Sequence, residues 1–363
     1  MAIGTMTGTS IDALDVAIAR IHGCGLEMTV ELVAHGQTPM GELEAPLRAA
    51  ADQTPMTATE FARLAHRFGS LHAKSIQSLT NTYGVTPDLI CLHGQTVAHE
   101  PPAGWALLDT APLLPCFRCP IVTDLRLVDM AHGGQGAPIT PLADWILFRG
   151  ETPRVIVNLG GFCNITRLPG EEGTWKDTTG RDVCPCNHLL DGGARRWLNQ
   201  PMDPDGHHAM KGAADQVLAL RLADELGAKK TDASDQPRAL AQGDEGGEFL
   251  QALQGMRNPD DRLATLSLAL ATRISDAAAP EDELVLFGGG ALNQALVKHL
   301  TQARNGAPVR TGLNGVSLFA REALAMAVLG ACASDELSIT MNGTTSRRDE
   351  SSYLDGKWHL THH

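Results

Sequence analysis

Two stretches of this 363-residue chain share one pattern, and that pattern restricts the fold more than any other feature. The first, AIGTMTGTSIDALDVAIARI from Ala2, reads as a strand, a turn rich in Gly, Thr and Ser, and a second strand in which Val16, Ile18 and Ile21 carry an apolar alternation. The second, RVIVNLGGFCNITRL from Arg154, is again strand, glycine turn, strand. A hairpin repeated about 150 residues later implies two lobes of similar construction, each offering a turn whose backbone can meet a phosphate. The length agrees, because 363 residues exceed what one hydrophobic core usually supports.

The hairpin tips carry the first candidate site residues. Gly4 and Gly8 let a ligand approach the backbone closely, Thr7, Thr9 and Ser10 add hydroxyls, and Asp12 and Asp15 supply carboxylates able to hold a hydrated magnesium ion. The stretch lacks the lysine of a GxxxxGK[ST] loop and leads into a strand, so it is a different kind of phosphate turn. Gly160, Gly161 and Asn164 form the second tip.

Between the hairpins the period changes. From Met40 to Tyr83 apolar residues such as Leu43, Leu64, Phe68 and Ile76 recur at three and four positions, which predicts packing helices. VTPDLICLHGQTVAHEPP then predicts a buried strand running into His93, Gly94, Gln95 and Thr96, with His99 and Glu100 beyond. Ligands of open α/β sheets gather outside the carboxyl ends of strands, so His93 and Gln95 are substrate candidates. The strand CPIVTDL ends at Asp124 and Arg126, with Asp129 following. Arg126 is the cation expected to hold an anionic or hydroxyl-rich substrate group, the alternative being a surface ion pair. AHGGQGAPITPLADWIL predicts a glycine loop opening a helix.

In GRDVCPCNHLLD, Asp182 is read as an acid at a helix entrance, beside backbone N–H groups free to face an anion. A carboxylate there can accept a proton from a water or a sugar hydroxyl, or it can simply cap the helix. A polar connection through Asp244, Gly246 and Gly247 reads as a mobile loop. ELVLFGGGALNQALVKHL predicts a buried strand, then Gly288, Gly289 and Gly290 as bare backbone for a flat group, and Asn293 in the first turn of a helix as its hydrogen-bond partner. Glu322 opens the last helix, REALAMAVLGACAS, and the polar tail from Thr344 reads as loosely held.

Composition removes several function classes. A net charge of −13 argues against nucleic acid and anionic membrane as partners. No apolar run reaches the roughly 18 residues of a membrane span, and MAIGTMTGTS has no basic start followed by an apolar block, so a cytoplasmic location is expected. Eight cysteines in a chain of this size read as reduced thiols. Cys116 and Cys119, in an apolar, strand-like context, with Cys184, Cys186 and His188, would make a zinc site only if the fold joined them; buried small side chains are the plainer reading.

The assembled blocks GTMTGTSIDALDVA, LHGQTVAHEP, AHGGQGAPITP, VNLGGFCNIT, GRDVCPCN, FGGGALN and REALA, in this order from Gly4 to about Ala333, resemble the anhydro-N-acetylmuramic acid kinase family of the sugar kinase and actin superfamily. The resemblance implies an α/β fold of two RNase H-like (actin-like ATPase) lobes, each a mixed sheet with flanking helices, with a ligand cleft between them. The expected division is residues 1–150, 151–335 and a polar C-terminal segment 336–363. It further implies ATP and magnesium, a small-molecule sugar substrate, a homodimer, and opening of a 1,6-anhydro bond by water with phosphorylation of O6. By position, Asp182 matches the residue that deprotonates the water and Glu322 the glutamate near metal and phosphates, with Asp12 the second metal-side carboxylate. Gly8, Thr9, Ser10 and Asp12 match the first phosphate loop and Gly160, Gly161 and Asn164 the second. Gly288, Gly289, Gly290 and Asn293 match the adenosine side, and His93 and Arg126 the sugar side, with Gln95 and Asp129 beside them as further substrate-binding candidates.

The chain departs from the family pattern at several points. Cys184 and Cys186 replace two glycines, each adding a side chain where backbone would approach the ligand. Gly247 replaces an arginine, while Ala320 and Asp144 stand where an aspartate and a histidine are expected. These departures leave open a kinase for a different, uncharged anhydrosugar, or a nucleotide-binding sensor of the same fold without chemistry.

Overall fold

The computed structural model describes residues 1–228, 246–347 and 355–360. Its strands in chain order are β1 (Ala2–Met6), β2 (Ala13–His22), β3 (Thr29–Pro39), β4 (Leu89–Leu92), β5 (Gln95–Glu100), β6 (Ala103–Leu107), β7 (Ile121–Thr123), β8 (Arg154–Leu159), β9 (Phe162–Leu168), β10 (Thr179–Pro185), β11 (Glu283–Phe287), β12 (Val309–Thr311) and β13 (Lys357–His359). The chain divides into two units: Met1–Arg149 with Trp175–Thr178 and Asn314–His363, and Gly150–Thr174 with Thr179–Leu313. Among the described residues no helix is long and apolar enough to cross a membrane.

The first unit holds a six-stranded sheet in the order β13-β7-β4-β1-β2-β3 and a separate β5–β6 ribbon. β1 and β2, and β2 and β3, pair antiparallel, whereas β1–β4 and β4–β7 are parallel. β1 is buried along its whole length, as a central strand covered on both faces must be. Ile3 joins Val16, Ile18 and Ile90 in a core with Leu64, Phe68 and Ile76 of the Ala58–Tyr83 helix. That helix starts where the sequence punctuates it: Thr57 and Glu60 form a reciprocal capping box, and Gly84 ends it at φ 62°. On the opposite face, where Gly4 points by alternation, the Ala320–Ser334 helix lies almost in backbone contact. A Cβ on Gly4 would stand 1.9 Å from the Ala323 carbonyl oxygen and 2.4 Å from the Ala327 nitrogen.

The second unit holds a five-stranded sheet, β10-β9-β8-β11-β12. β8–β9 and β9–β10 are antiparallel, and β8–β11 and β11–β12 parallel. Read from β3 and from β10, the two sheets repeat one order and one set of strand senses, apart from the extra edge strand β13: two successive antiparallel pairings on one side of the first strand of each lobe, β1 or β8, and two parallel pairings on the other. This is the RNase H-like arrangement in duplicate, as the repeated hairpins imply.

Three expectations are corrected. The second unit ends at Leu313, not at 335, because the Ala320–Ser334 helix packs on β1 of the first. The tail is anchored where described: Arg347 and Asp355 are fully buried and β13 pairs with β7. Cys116 and Cys119 lie in turns after β6 rather than in a strand, the first exposed and the second buried. The part of the expected mobile loop at Asp244 lies outside the described residues.

Candidate active site

In the first unit the site residues gather at the tip of β1–β2 and the carboxyl ends of β4 and β7. The tip is a tight turn in which the Gly8 carbonyl accepts the Ile11 N–H at 3.1 Å. Ile11 sits at φ 54°, a costly conformation for a β-branched residue, held because its side chain is buried in the core. Thr9, Ser10 and Asp12 are thereby left on the surface. Ser10 Oγ donates to Asp12 Oδ1 at 2.5 Å, the Asp12 carbonyl accepts the Met40 N–H at 2.9 Å, and Arg48 donates to the Ser10 carbonyl. The Cβ position of Gly8 meets nothing closer than Ser10 Oγ at 3.5 Å, so packing within this unit does not demand a glycine there.

His93 and Arg126, chosen separately from sequence, are brought together. His93 follows β4 directly, and Arg126 lies not on a strand but in the first turn of the Leu125–Ala131 helix. Arg126 Nε donates to His93 Nε2 over 2.7 Å and Nη1 to the Gly136 carbonyl over 2.8 Å. Burial, with the guanidinium second, pushes the His93 pKa down to about 3, so the ring is neutral and Nε2 offers a lone pair. The pair lines a narrow pocket of ≈ 20 Å³, room for about one water, together with Thr96, His99, Trp105 and Met130. His99, beyond the end of the predicted strand, belongs to the same pocket, and its Nε2 is buried without a partner among the described residues. Gln95 is buried and its amide donates to the Thr96 carbonyl. Asp129 is corrected as a direct sugar ligand. It has no exposure, and its carboxylate accepts from the Gly136 N–H at 2.6 Å, from Thr345 Oγ1 at 2.8 Å and from Thr340 Oγ1.

Glu322 opens the Ala320–Ser334 helix. Burial raises its pKa, Arg321 and Arg126 oppose the rise, and Asp15 and Asp144 add to it. Asp15 is itself 2.8 Å from His35 Nε2. Arg321 engages Asp144 through Nε at 2.8 Å and through Nη2, and its Nη2 also reaches Thr140 at 3.2 Å. The expected metal residues Asp12 and Glu322 offer hard oxygen donors of the kind magnesium takes, an ion usually held by one or two carboxylates plus substrate phosphates. Among the described residues no three His, Cys, Asp or Glu side chains form a metal-holding group.

In the second unit Asp182 proves to be a strand residue. It lies in β10, and the Asn187–Leu198 helix starts five positions later with Cys186 at its cap position. Asp182 pairs with Asn164 of β9, and Asn164 with Asn158 of β8, so three polar side chains stand in one row across the sheet. Asn158, a polar residue after the apolar Val155, Ile156 and Val157 of β8, is not among the residues expected from sequence. The helix entrance is not free for an anion: the N–H groups of Cys186, Asn187 and His188 donate to the Gly161 and Gly160 carbonyls at 2.8, 3.0 and 3.2 Å. Cys184 and Cys186 have no exposed surface, so neither projects from the fold, and burial lifts the Cys186 thiol well above its ordinary pKa.

The glycines after β11 also serve packing. Gly288 adopts φ 82°, and a Cβ there would stand 2.8 Å from the Leu159 carbonyl; one on Gly290 would stand 2.8 Å from Asn187 Oδ1. Asn293 is the helix cap, its Oδ1 accepting the Leu296 N–H at 3.0 Å. Gly246 packs near Pro185 and Leu189, while the Cβ position of Gly247 is open.

A model of the family described as anhydro-N-acetylmuramic acid kinase matches residues 1–354. The anhydro-N-acetylmuramic acid kinase of Salinibacter ruber is 33% identical over 356 residues, covering 90% of this chain and 88% of that protein. The Bordetella pertussis protein of the same name is 34% identical over 368 residues, covering 95% and 93%. That of Synechococcus sp. strain CC9605 is 34% identical over 351 residues, covering 90% and 91%.

Proposed function

The chain belongs to the anhydro-N-acetylmuramic acid kinase family and is a kinase with an alcohol acceptor, and from that premise we propose that it uses ATP and water to convert 1,6-anhydro-N-acetylmuramic acid to N-acetylmuramic acid 6-phosphate. Asp182 takes a proton from water as the water oxygen bonds to C1. The C1–O6 bond breaks, O6 stays on the sugar and takes the γ-phosphoryl group, and ADP leaves. Arg126, held by neutral His93, binds the sugar. The turns at Gly8–Asp12 and Gly160–Gly161 receive phosphates, with Asn164 beside the second. Magnesium, held by Asp12 and Glu322 with the nucleotide, would neutralise charge on the transferring group. Gly288, Gly289, Gly290 and Asn293 shape the adenosine side through the packing that fixes the end of β8.

The observation that carries this reading is the position of Asp182. A carboxylate in mid-strand, in a row with Asn158 and Asn164, is not at a helix cap position, which supports the base reading over the capping one. A kinase for another sugar or an inactive sensor is not favoured by relatives that carry one name over nine-tenths of the chain.

The test is product analysis in ¹⁸O-water with ATP, magnesium and the anhydrosugar. One heavy oxygen at C1 and phosphate on unlabelled O6 are expected. Phosphate release without sugar phosphate, or label at C6, would overturn the reading, and faster turnover of an uncharged anhydrosugar would restore the alternative substrate.

A further inference from the structure

The segment after the Ala320–Ser334 helix is fastened by fully buried groups. Arg347 donates through Nη1 to Asp355 Oδ2 at 2.9 Å and to Thr340 Oγ1 at 3.3 Å, while Asp355 Oδ2 also accepts the Ile339 N–H at 3.0 Å. From this clamp Thr340 and Thr345 both donate to Asp129 Oδ1, and the Thr345 carbonyl accepts the Gln135 N–H at 2.7 Å. Asp129 Oδ2 holds the Gly136 N–H, and the Gly136 carbonyl holds Arg126 Nη1. A continuous chain of hydrogen bonds thus runs from residues 340–347 to the guanidinium at the His93 pocket.

A buried carboxylate is costly unless donors satisfy it, and apolar contact alone would suffice to hold down a tail. What the arrangement adds is direction. Asp129 fills the space where Gly134 would carry a Cβ, 2.2 Å from Oδ2, so the glycine loop and the carboxylate fit only one way and the Gly136 carbonyl is aimed. We infer that Asp129, Thr340 and Thr345 are positioning residues for the substrate, setting the Arg126 guanidinium through the Gly136 carbonyl. The inference rests on Arg126 being a sugar contact.

Sugar and ATP kinetics on Thr340→Val and Thr345→Val, with the corresponding Ser variants and Arg126→Ala as reference, test it. The Val variants should raise the KM for sugar roughly tenfold, below the hundredfold that a 1 Å misplacement can cost, and leave the KM for ATP within about twofold. The Ser variants should restore the sugar KM. An unchanged sugar KM in the Val variants, with Arg126→Ala impaired, overturns the inference and leaves the function intact; an equal rise in both KM values, not rescued by Ser, also overturns it. An unaffected Arg126→Ala removes the sugar contact itself. Hydrogen exchange on the unmodified protein gives an independent reading should a Val variant not fold: sugar should slow exchange at 134–136 and at 340–345, and unaltered exchange at 340–345 counts against the chain of bonds.

Discussion

Asp144→Ala should be among the most damaging single substitutions in the first unit. Asp144 and Arg321 have relative exposures of 0% and 1%, and the carboxylate receives two bonds from the guanidinium. Removing one partner of such a pair strands a buried charge and costs about 3–5 kcal/mol. In a cooperative unit of roughly 200 residues each kcal/mol moves the melting midpoint by about 2–4 °C, giving a loss of about 6–20 °C. Arg20–Glu31 is the internal control, since both side chains are exposed and Glu31→Ala should change stability by under about 1 kcal/mol. The double change Asp144→Leu with Arg321→Met should recover most of the loss, because it removes both buried charges together. Thermal unfolding followed by circular dichroism decides the matter. A midpoint for Asp144→Ala within about 2 °C of the unaltered protein would refute the argument that this pair is shut off from water.

Asp182→Asn should lower turnover by about 10² to 10⁴ at saturating ATP while nucleotide affinity measured by calorimetry barely moves; near-normal turnover would shift the base elsewhere. Gly134→Ala places a methyl against the Asp129 carboxylate and should cost about 2–4 kcal/mol by denaturant titration, whereas Gly247→Ala, in open space, should be neutral. His72 and His93 have pKa values pushed by burial down to about 4 and about 3, below the unfolded value of 6.5. The unfolded chain therefore takes up protons that the native one refuses, and stability present above pH 6.5 is lost as pH falls; at pH 5 each ring costs about 2 kcal/mol, and a melting midpoint flat from pH 7 to 5 would contradict this. Glu322 is shifted the other way: raised by burial, it reaches the ionised form needed at a metal only at higher pH, so kcat/KM should fall on acidification through a pKa above the ordinary carboxylate range, and Arg126→Gln should move that fall further upward.

The duplicated fold was legible because strand–glycine–strand is a local pattern, and local periodicity survives without tertiary information. His93 and Arg126 were each legible as strand-end residues, but their contact was not, because only the pairing of β4 with β7 sets the two strand ends side by side. The tail was not. Arg347 and Asp355 look like surface residues, and their mutual pairing, with bonds to Ile339 and Thr340 of the preceding segment, is invisible in any local pattern. Asp129 misled in the same way: an acid near a strand end reads as a ligand until its three donors are known. Ala320 and Asp144 read as two losses from the family pattern, but Asp144 meets Arg321, one residue beyond Ala320. Asp182 was misplaced at a helix entrance because a glycine, a proline and an asparagine around it resemble a turn, whereas β9 extends the ladder to Pro185.

The close seat of the Ala320–Ser334 helix on β1 has a consequence for synthesis on the ribosome. The strand is made before the second unit, yet the helix that covers its Gly4 face is made only after that unit has been translated. At about 5–20 residues per second the apolar face waits roughly 10–40 s beyond residue 149 for its cover. The intervening unit meanwhile has all of its strands and can complete itself. The Gly4 face is therefore exposed longer than any surface of the second unit, and a stop codon before the Ala320–Ser334 helix should leave that face uncovered while sparing residues 150–313.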